Sequence, residues 1–173
     1  DLHSFPTRRS SDLSTKPGLP VTSYDDLTAF KIYLFDVGIL RRMSQLNPLA
    51  VTEGNRLFTE FKGALTENFI LQCLCNQFEG IPRYWKSGNT AEVDFLVSYE
   101  NTIIPVEVKS DENFRSKSLT FYRKQYSPAV GLRFSLKNLK NEGGVVNIPL
   151  FLADYTRKIL SMEIGRASCR ERV

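Results

Sequence analysis

Apolar residues recur at helical spacing over 57–78 and fill more than half of those positions, so a long helix is expected there, stopped by Gly80 and Pro82. Three runs of strand type follow, at 83–86, 92–97 and 102–109, separated by the turn-like stretches SGNT and SYEN. A second helix is expected over 116–126, ended by Pro128, and strands over 129–136 and 145–152 flank the loop LKNEGG. Upstream, 30–40 is an apolar run with Asp36 and Gly38 near its end, where they suit a strand-to-helix turn rather than a ligand site. A short helix over 40–46 and a loop over 47–55 complete that part. The order is that of a mixed α/β domain with an αβββαβ core and flanking helices. Residues 14–26, rich in Pro, Gly and Ser, read as a linker, 27–56 as an N-terminal extension packing on the core, and 57–162 as the core itself.

With 173 residues the chain has room for one domain of ordinary size. At 42% hydrophobic, 12% aromatic and 24% charged residues, its composition is that of a soluble globular protein. No apolar run has the length of a membrane span, and no signal peptide opens the chain, so no membrane association is expected. Three cysteines are an odd count in too large a domain for a disulfide scaffold, and a cytoplasmic location fits them. A net charge of +4 permits nucleic acid as a partner without arguing for it. There are no internal repeats and no phosphate-binding loop.

The two ends have a different origin. HSFPTRRSSDL (3–13) and EIGRASCRERV (163–173) are translations of opposite strands of one oligonucleotide: with suitable codons, the reverse complement of the first encodes the second at all eleven positions. The string resembles a sequencing-library adapter read through on both sides of an insert. Residues 1–13 and 163–173 are therefore set aside as adapter-derived tails outside the fold, and 14–162 as a piece of a longer gene. Within 14–162 the net charge is +3 and no histidine remains, because His3 is the only one in the chain. That excludes Ser-His-Asp and Cys-His catalysis, and two cysteines alone cannot close a zinc site. Chemistry is left to carboxylates, lysine and oxygen-seeking metals.

Strand alternation puts Ile104, Val106 and Val108 on one side, with Glu107 and Lys109 on the other beside Ile103 and Pro105. In the preceding strand Val93, Phe95 and Val97 are expected to share a face, leaving Asp94 opposite them beside Leu96. An E-x-K strand is, on the plainer reading, a solvated face. The long helix adds Glu67, on the same side as Gly63, Ile70, Leu71, Leu74 and Phe78. A carboxylate within an apolar stripe is costly unless it is paired or binds a metal, so Glu67 is either a core residue satisfied by a cation or part of a site. Asp94 and Glu107 have the donors for Mg²⁺ or Mn²⁺, with Glu67 ligating directly or through water. Lys109 would orient a water or stabilise charge on a phosphorane.

Glu67, Asp94 and then Glu107-Val108-Lys109, on helix, strand and strand, resemble the PD-(D/E)xK restriction-endonuclease-like fold, with Val93 in place of the motif's proline. The strings TENFI, YW, AEVDFLV, IIPVEVKS, SKSL and NIPLFLA are similar to the C-terminal domain of unknown function found in prokaryotic AAA-type ATPases, over roughly 24–155. The resemblance implies a nuclease-like domain following a P-loop ATPase and a winged helix. ATP would then act only through an upstream domain, and Glu67, Asp94, Glu107 and Lys109 would be the catalytic set.

Two functions follow as expectations. One is Mg²⁺-dependent phosphodiester hydrolysis of DNA by Glu67, Asp94, Glu107 and Lys109. The alternative is a non-catalytic module that binds DNA or a partner and regulates the attached ATPase. A third reading makes these charges a buried structural network, in which leaving one charge unpaired costs about 3–5 kcal/mol. Arg115, Lys117, Arg123 and Lys124, with Tyr122 and Tyr126, could contact phosphates and bases, but Leu119, Tyr122 and Tyr126 also fit a buried stripe. Trp85, Cys73 and Cys75 read as packing residues, and 137–140 as an exposed hairpin tip.

Overall fold

The computed structural model describes residues 7–46, 56–88, 90–110 and 116–170. The expected loop over 47–55 and Arg115 lie outside them. Eight strands form one mixed sheet: β1 Thr7–Ser14, β2 Asp25–Leu34, β3 Arg83–Ser87, β4 Ala91–Tyr99, β5 Thr102–Val108, β6 Gly131–Ser135, β7 Lys140–Glu142 and β8 Val145–Pro149. They lie in the order β2-β1-β3-β4-β5-β6-β8-β7. The helices are α1 Val37–Met43, α2 Arg56–Gln77, α3 Lys117–Tyr126 and α4 Thr156–Arg170. The mixed α/β class and the helix–three strands–helix–strand order are those expected.

The centre of the sheet is an antiparallel meander of β3, β4 and β5. Glu100 and Asn101, both at positive φ, make the two-residue turn from β4 to β5, a geometry that suits the twist of a hairpin. α3 then crosses over so that β6 lies parallel to β5, and β8 lies parallel to β6. The helices α2 and α4 cover one face, where Ile70, Leu74 and Leu160 pack on Phe95, Val106, Leu132 and Phe134. On the other face α3 lays Tyr122 over Trp85, Val93 and Leu96. Trp85 and Tyr122 meet edge to face at 5.1 Å between ring centres, and each is 1% exposed. Tyr126 packs on Trp85 at 5.6 Å. The buried-stripe reading of α3 and the packing reading of Trp85 therefore describe this face.

Several boundaries differ from the patterning. The strand expected over 145–152 stops at Pro149 and continues as a 3-10 turn, Leu150–Tyr155, since proline ends the supply of ladder N–H donors. The helix expected at 40–46 begins at Val37 because Asp36 caps it, accepting from the Ile39 N–H at 3.0 Å. α4 had no signal strong enough to be expected, yet Ile159 and Leu160 are 6% and 0% exposed.

The segments set aside as adapter-derived enter the ordered structure. Thr7–Ser14 pairs antiparallel with β2 and parallel with β3, and α4 runs to Arg170. Strand pairing joins backbone groups that every residue carries, so this placement has no bearing on where the segments came from.

Because Leu160 is wholly buried against the sheet, Leu160→Ala is expected to cost about 2–5 kcal/mol. Met162→Ala, on the exposed side at 47%, should stay within about 0.5 kcal/mol. Urea denaturation of the two variants checks this.

Candidate functional site

A slip in strand register builds the site. Arg83 pairs with Leu96 and Trp85 with Val93, so Asp94 and Phe95 together stand opposite Tyr84. This is a β-bulge, which breaks alternation and re-aims a side chain. Val93 consequently packs with Trp85 and Tyr122, whereas Phe95 and Val97 belong to the core under α2. The expected single face for Val93, Phe95 and Val97 is corrected accordingly: period-2 patterning holds on each side of the bulge but not through it.

The bulge turns the Asp94 carboxylate toward β5, where Oδ2 accepts from the Val108 N–H at 2.7 Å. Burial and the nearby charge of Glu67 push its pKa up to about 7. The Val108 hydrogen bond and Lys31 oppose that rise, and Glu107 adds to it. Asp94 thus sits between the charges of the other two acids of the expected set.

Glu107 is 3% exposed, and its Oε1 lies 2.7 Å from Lys109 Nζ. Its Oε2 is buried without a hydrogen-bond partner. Alternation places Glu107 and Lys109 on the face opposite Val106, as expected. Lys109 keeps about a third of its side chain exposed.

Glu67 is engaged differently. It projects from α2 to β2, where it accepts from the Tyr33 hydroxyl and from Lys31 Nζ at 3.0 Å. The next residue, Asn68, accepts from the Leu34 N–H and donates to the Leu34 carbonyl. Lys31 also reaches Glu92 at 2.6 Å, and Glu92 reaches Lys86 at 2.8 Å. Burial pulls the Lys31 pKa down, but Glu67 and Glu92 outweigh it and hold the ammonium above its ordinary value. For Tyr33, burial and Glu67 both raise the pKa.

The four expected residues are divided in their partners. Asp94, Glu107 and Lys109 lie on β4, β5 and the residue after β5. Glu67 is satisfied by β2, the paired-core option left open for it. Among the described residues no group of three or more His, Cys, Asp or Glu side chains is disposed to hold a metal ion. Lys31, Tyr33 and Glu92 were missed. Their signal is parity: Lys31 and Tyr33 alternate within an apolar run, and Glu92 precedes Asp94 by two.

Residues 62–152 match the family described as Domain of unknown function (DUF4143). The chain belongs to that family. No curated protein and no solved structure matches it. The family match runs from Lys62 in α2 to Leu152 in the 3-10 turn after β8, and so contains all four expected residues. Among the described residues no helix is long and apolar enough to cross a membrane.

The raised pKa of Asp94 gives a stability test in the presence of EDTA. An unfolded Asp ionises near about 3.9, so between there and about 7 the folded protein binds a proton that the unfolded chain does not. That contribution is fully present below the unfolded value and lost as pH rises through the folded one. Asp94→Asn retains an acceptor for the Val108 N–H and lacks the titration. The melting temperature of the parent relative to Asp94→Asn is expected to fall by several degrees from pH 4.5 to pH 7.5, then level off. Parallel curves would show that Asp94 titrates as an ordinary surface acid.

Proposed function

We propose that this domain is a nuclease-like module of the PD-(D/E)xK type that hydrolyses DNA phosphodiesters with a divalent cation held by Asp94 and Glu107. The observation that carries this reading is the buried Glu107 Oε2, which has no hydrogen-bond partner, together with the Glu107 charge that acts on the buried Asp94 carboxylate. Buried carboxylate oxygens without donors are costly, and a cation relieves both acids at once. The donor set is all oxygen, which fits Mg²⁺ or Mn²⁺. When bound, such an ion supplies Lewis-acid polarisation of the phosphate and an acidified water.

The chain's own residues do the rest. Lys109, held by Glu107 at 2.7 Å and partly exposed, presents a fixed positive charge where the phosphorane develops negative charge. Glu67 acts as a positioning residue through its charge on Asp94, while Lys31 and Tyr33 keep its carboxylate in place. By its resemblance, the domain follows a P-loop ATPase and a winged helix in the longer chain, in a cytoplasmic ATP-driven machine.

One observation favours a second reading, a non-catalytic module that binds DNA or a partner and regulates that ATPase. Glu67, the third expected ligand, is taken up by Lys31 and Tyr33.

The test uses supercoiled plasmid and single-stranded DNA with Mg²⁺ or Mn²⁺, together with calorimetric titration of Mn²⁺. Metal-dependent nicking is expected, falling about 100-fold or more in Asp94→Asn, Glu107→Gln and Lys109→Ala. Mn²⁺ binding should be lost in the two acid variants and kept in Lys109→Ala. Absence of both binding and nicking in the parent protein would leave the regulatory reading.

A further inference from the structure

The sheet register carries a line of polar side chains away from the proposed site. Glu107 on β5 is paired with Arg133 on β6, Arg133 with Asn147 on β8, and Asn147 with Lys140 on β7. Residues paired across a sheet share a face, so these four form one row. At about 4.8 Å per strand the row spans roughly 14 Å. Its far end opens into a cavity of about 650 Å³ lined by Arg133, Lys137, Lys140, Glu142, Asn147 and Leu139, among others. The lining thus holds three cations against one carboxylate.

The cavity is built rather than incidental. Asn147, 8% exposed, accepts from the wholly buried Ser135 hydroxyl at 2.7 Å and donates to the Lys137 and Asn138 carbonyls at 3.1 and 3.0 Å. Ser135 Oγ in turn accepts from the Lys137 N–H. The loop that carries the lysines is thereby pinned to β6 and β8. The hairpin behind it turns through Gly143 and Gly144, both at positive φ. A Cβ on Gly144 would come within 2.7 Å of Arg123 Nη2, and Arg123 donates to the Gly143 carbonyl at 2.6 Å. Within this frame the Nε of Arg133 is buried and has no hydrogen-bond partner. Arg133 also lines the cavity, and the planar fork of a guanidinium is suited to phosphate oxygens.

We infer that the Arg133–Lys137–Lys140 cavity binds the phosphodiester backbone of DNA, at the end of the sheet row away from Glu107 and Lys109. This rests on the nuclease-like reading for the identity of the neighbouring site and deepens it by assigning a place where the DNA backbone is held. Leu136 and Leu139, 57% and 48% exposed, flank the lysines with apolar surface for sugars and bases. The tip expected to be merely solvated becomes, on this inference, the place where the strand is gripped.

Binding is measured in EDTA on the full chain, by fluorescence anisotropy of a labelled 20-nucleotide single-stranded DNA over a series of salt concentrations. Lys137→Ala/Lys140→Ala is expected to raise Kd at least 10-fold and to reduce the salt slope by about 1.4, the value for two lost phosphate contacts. Arg133→Gln should raise Kd to a similar extent, while Lys158→Ala on α4, outside the cavity lining, should match the parent. Thermal melts verify that each variant is folded, and the lysine pair offers a variant on exposed positions should Arg133→Gln fail to fold. Parent-like affinity in the folded lysine double variant would overturn the inference, as would equal displacement of the DNA by poly-glutamate of matched charge. The two proposals separate cleanly. Pocket-dependent binding without cleavage in Mg²⁺ retains this inference and removes the nuclease reading, whereas cleavage indifferent to the pocket variants does the reverse.

Discussion

The hydrogen bond from the Val108 N–H to Asp94 is the constraint on which the middle of the molecule depends. β5 runs past the end of its ladder with β4, which stops at Phe95 and Val106 beside the bulge in the β3–β4 pairing. Its amide there must find an acceptor or stay unsatisfied inside the protein. Asp94 supplies that acceptor at 2.7 Å, and in doing so is fixed between Glu67 and Glu107, whose charges it feels. Sheet closure and charge crowding are therefore properties of one side chain. The fold stabilises the site's least comfortable carboxylate by giving it backbone work to do.

A second fastening sets how α2 meets the sheet. Glu67 and Asn68 are consecutive on the helix, and both reach β2: the acid to Lys31 and Tyr33, the amide to both backbone groups of Leu34. Tyr33 also touches Phe95 at 5.8 Å, so the polar clamp runs directly into the core. Lys31 lies over the Tyr84 ring at 5.2 Å and joins Glu67 to Glu92. These contacts hold one edge of the domain as a charge-matched unit beside the corner of Asp94, Glu107 and Lys109.

Element order was readable because Gly80, Pro82, Pro128 and the turn strings interrupt the chain where the elements end. The residues gathered around Asp94 were also readable, since acids and a lysine within strand and helix patterns stand out chemically. Their mutual arrangement was not. A bulge adds one residue without leaving a mark in period-2 patterning, so the facing of Val93 was misjudged. The partners of Glu67 come from β2, 34 and 36 residues away in sequence, and a distant strand pairing leaves no local trace. The pairing of Thr7–Ser14 with β2 and β3 rests on backbone groups, which composition does not encode. α4 contributes the buried Ile159 and Leu160 and the partly buried Ile164, too short a stripe for periodicity to reveal.

Among the described residues the eight-stranded sheet has two outer edges, and a sheet edge is a template on which further strands could add. Here the outer strands are poor templates. Between β1 and β2 the pairing jumps from Phe30 to Asp26, throwing Leu27, Thr28 and Ala29 out of the ladder. Asp26 secures that departure by accepting from both the amide and the hydroxyl of Thr28. At the opposite end β7 is three residues long and carries Lys140 and Glu142, paired with each other at 2.6 Å. One border is kinked and the other is short and charged, so growth into larger β-aggregates is discouraged from both sides, even though Leu27 and Ile32 leave apolar surface at the first.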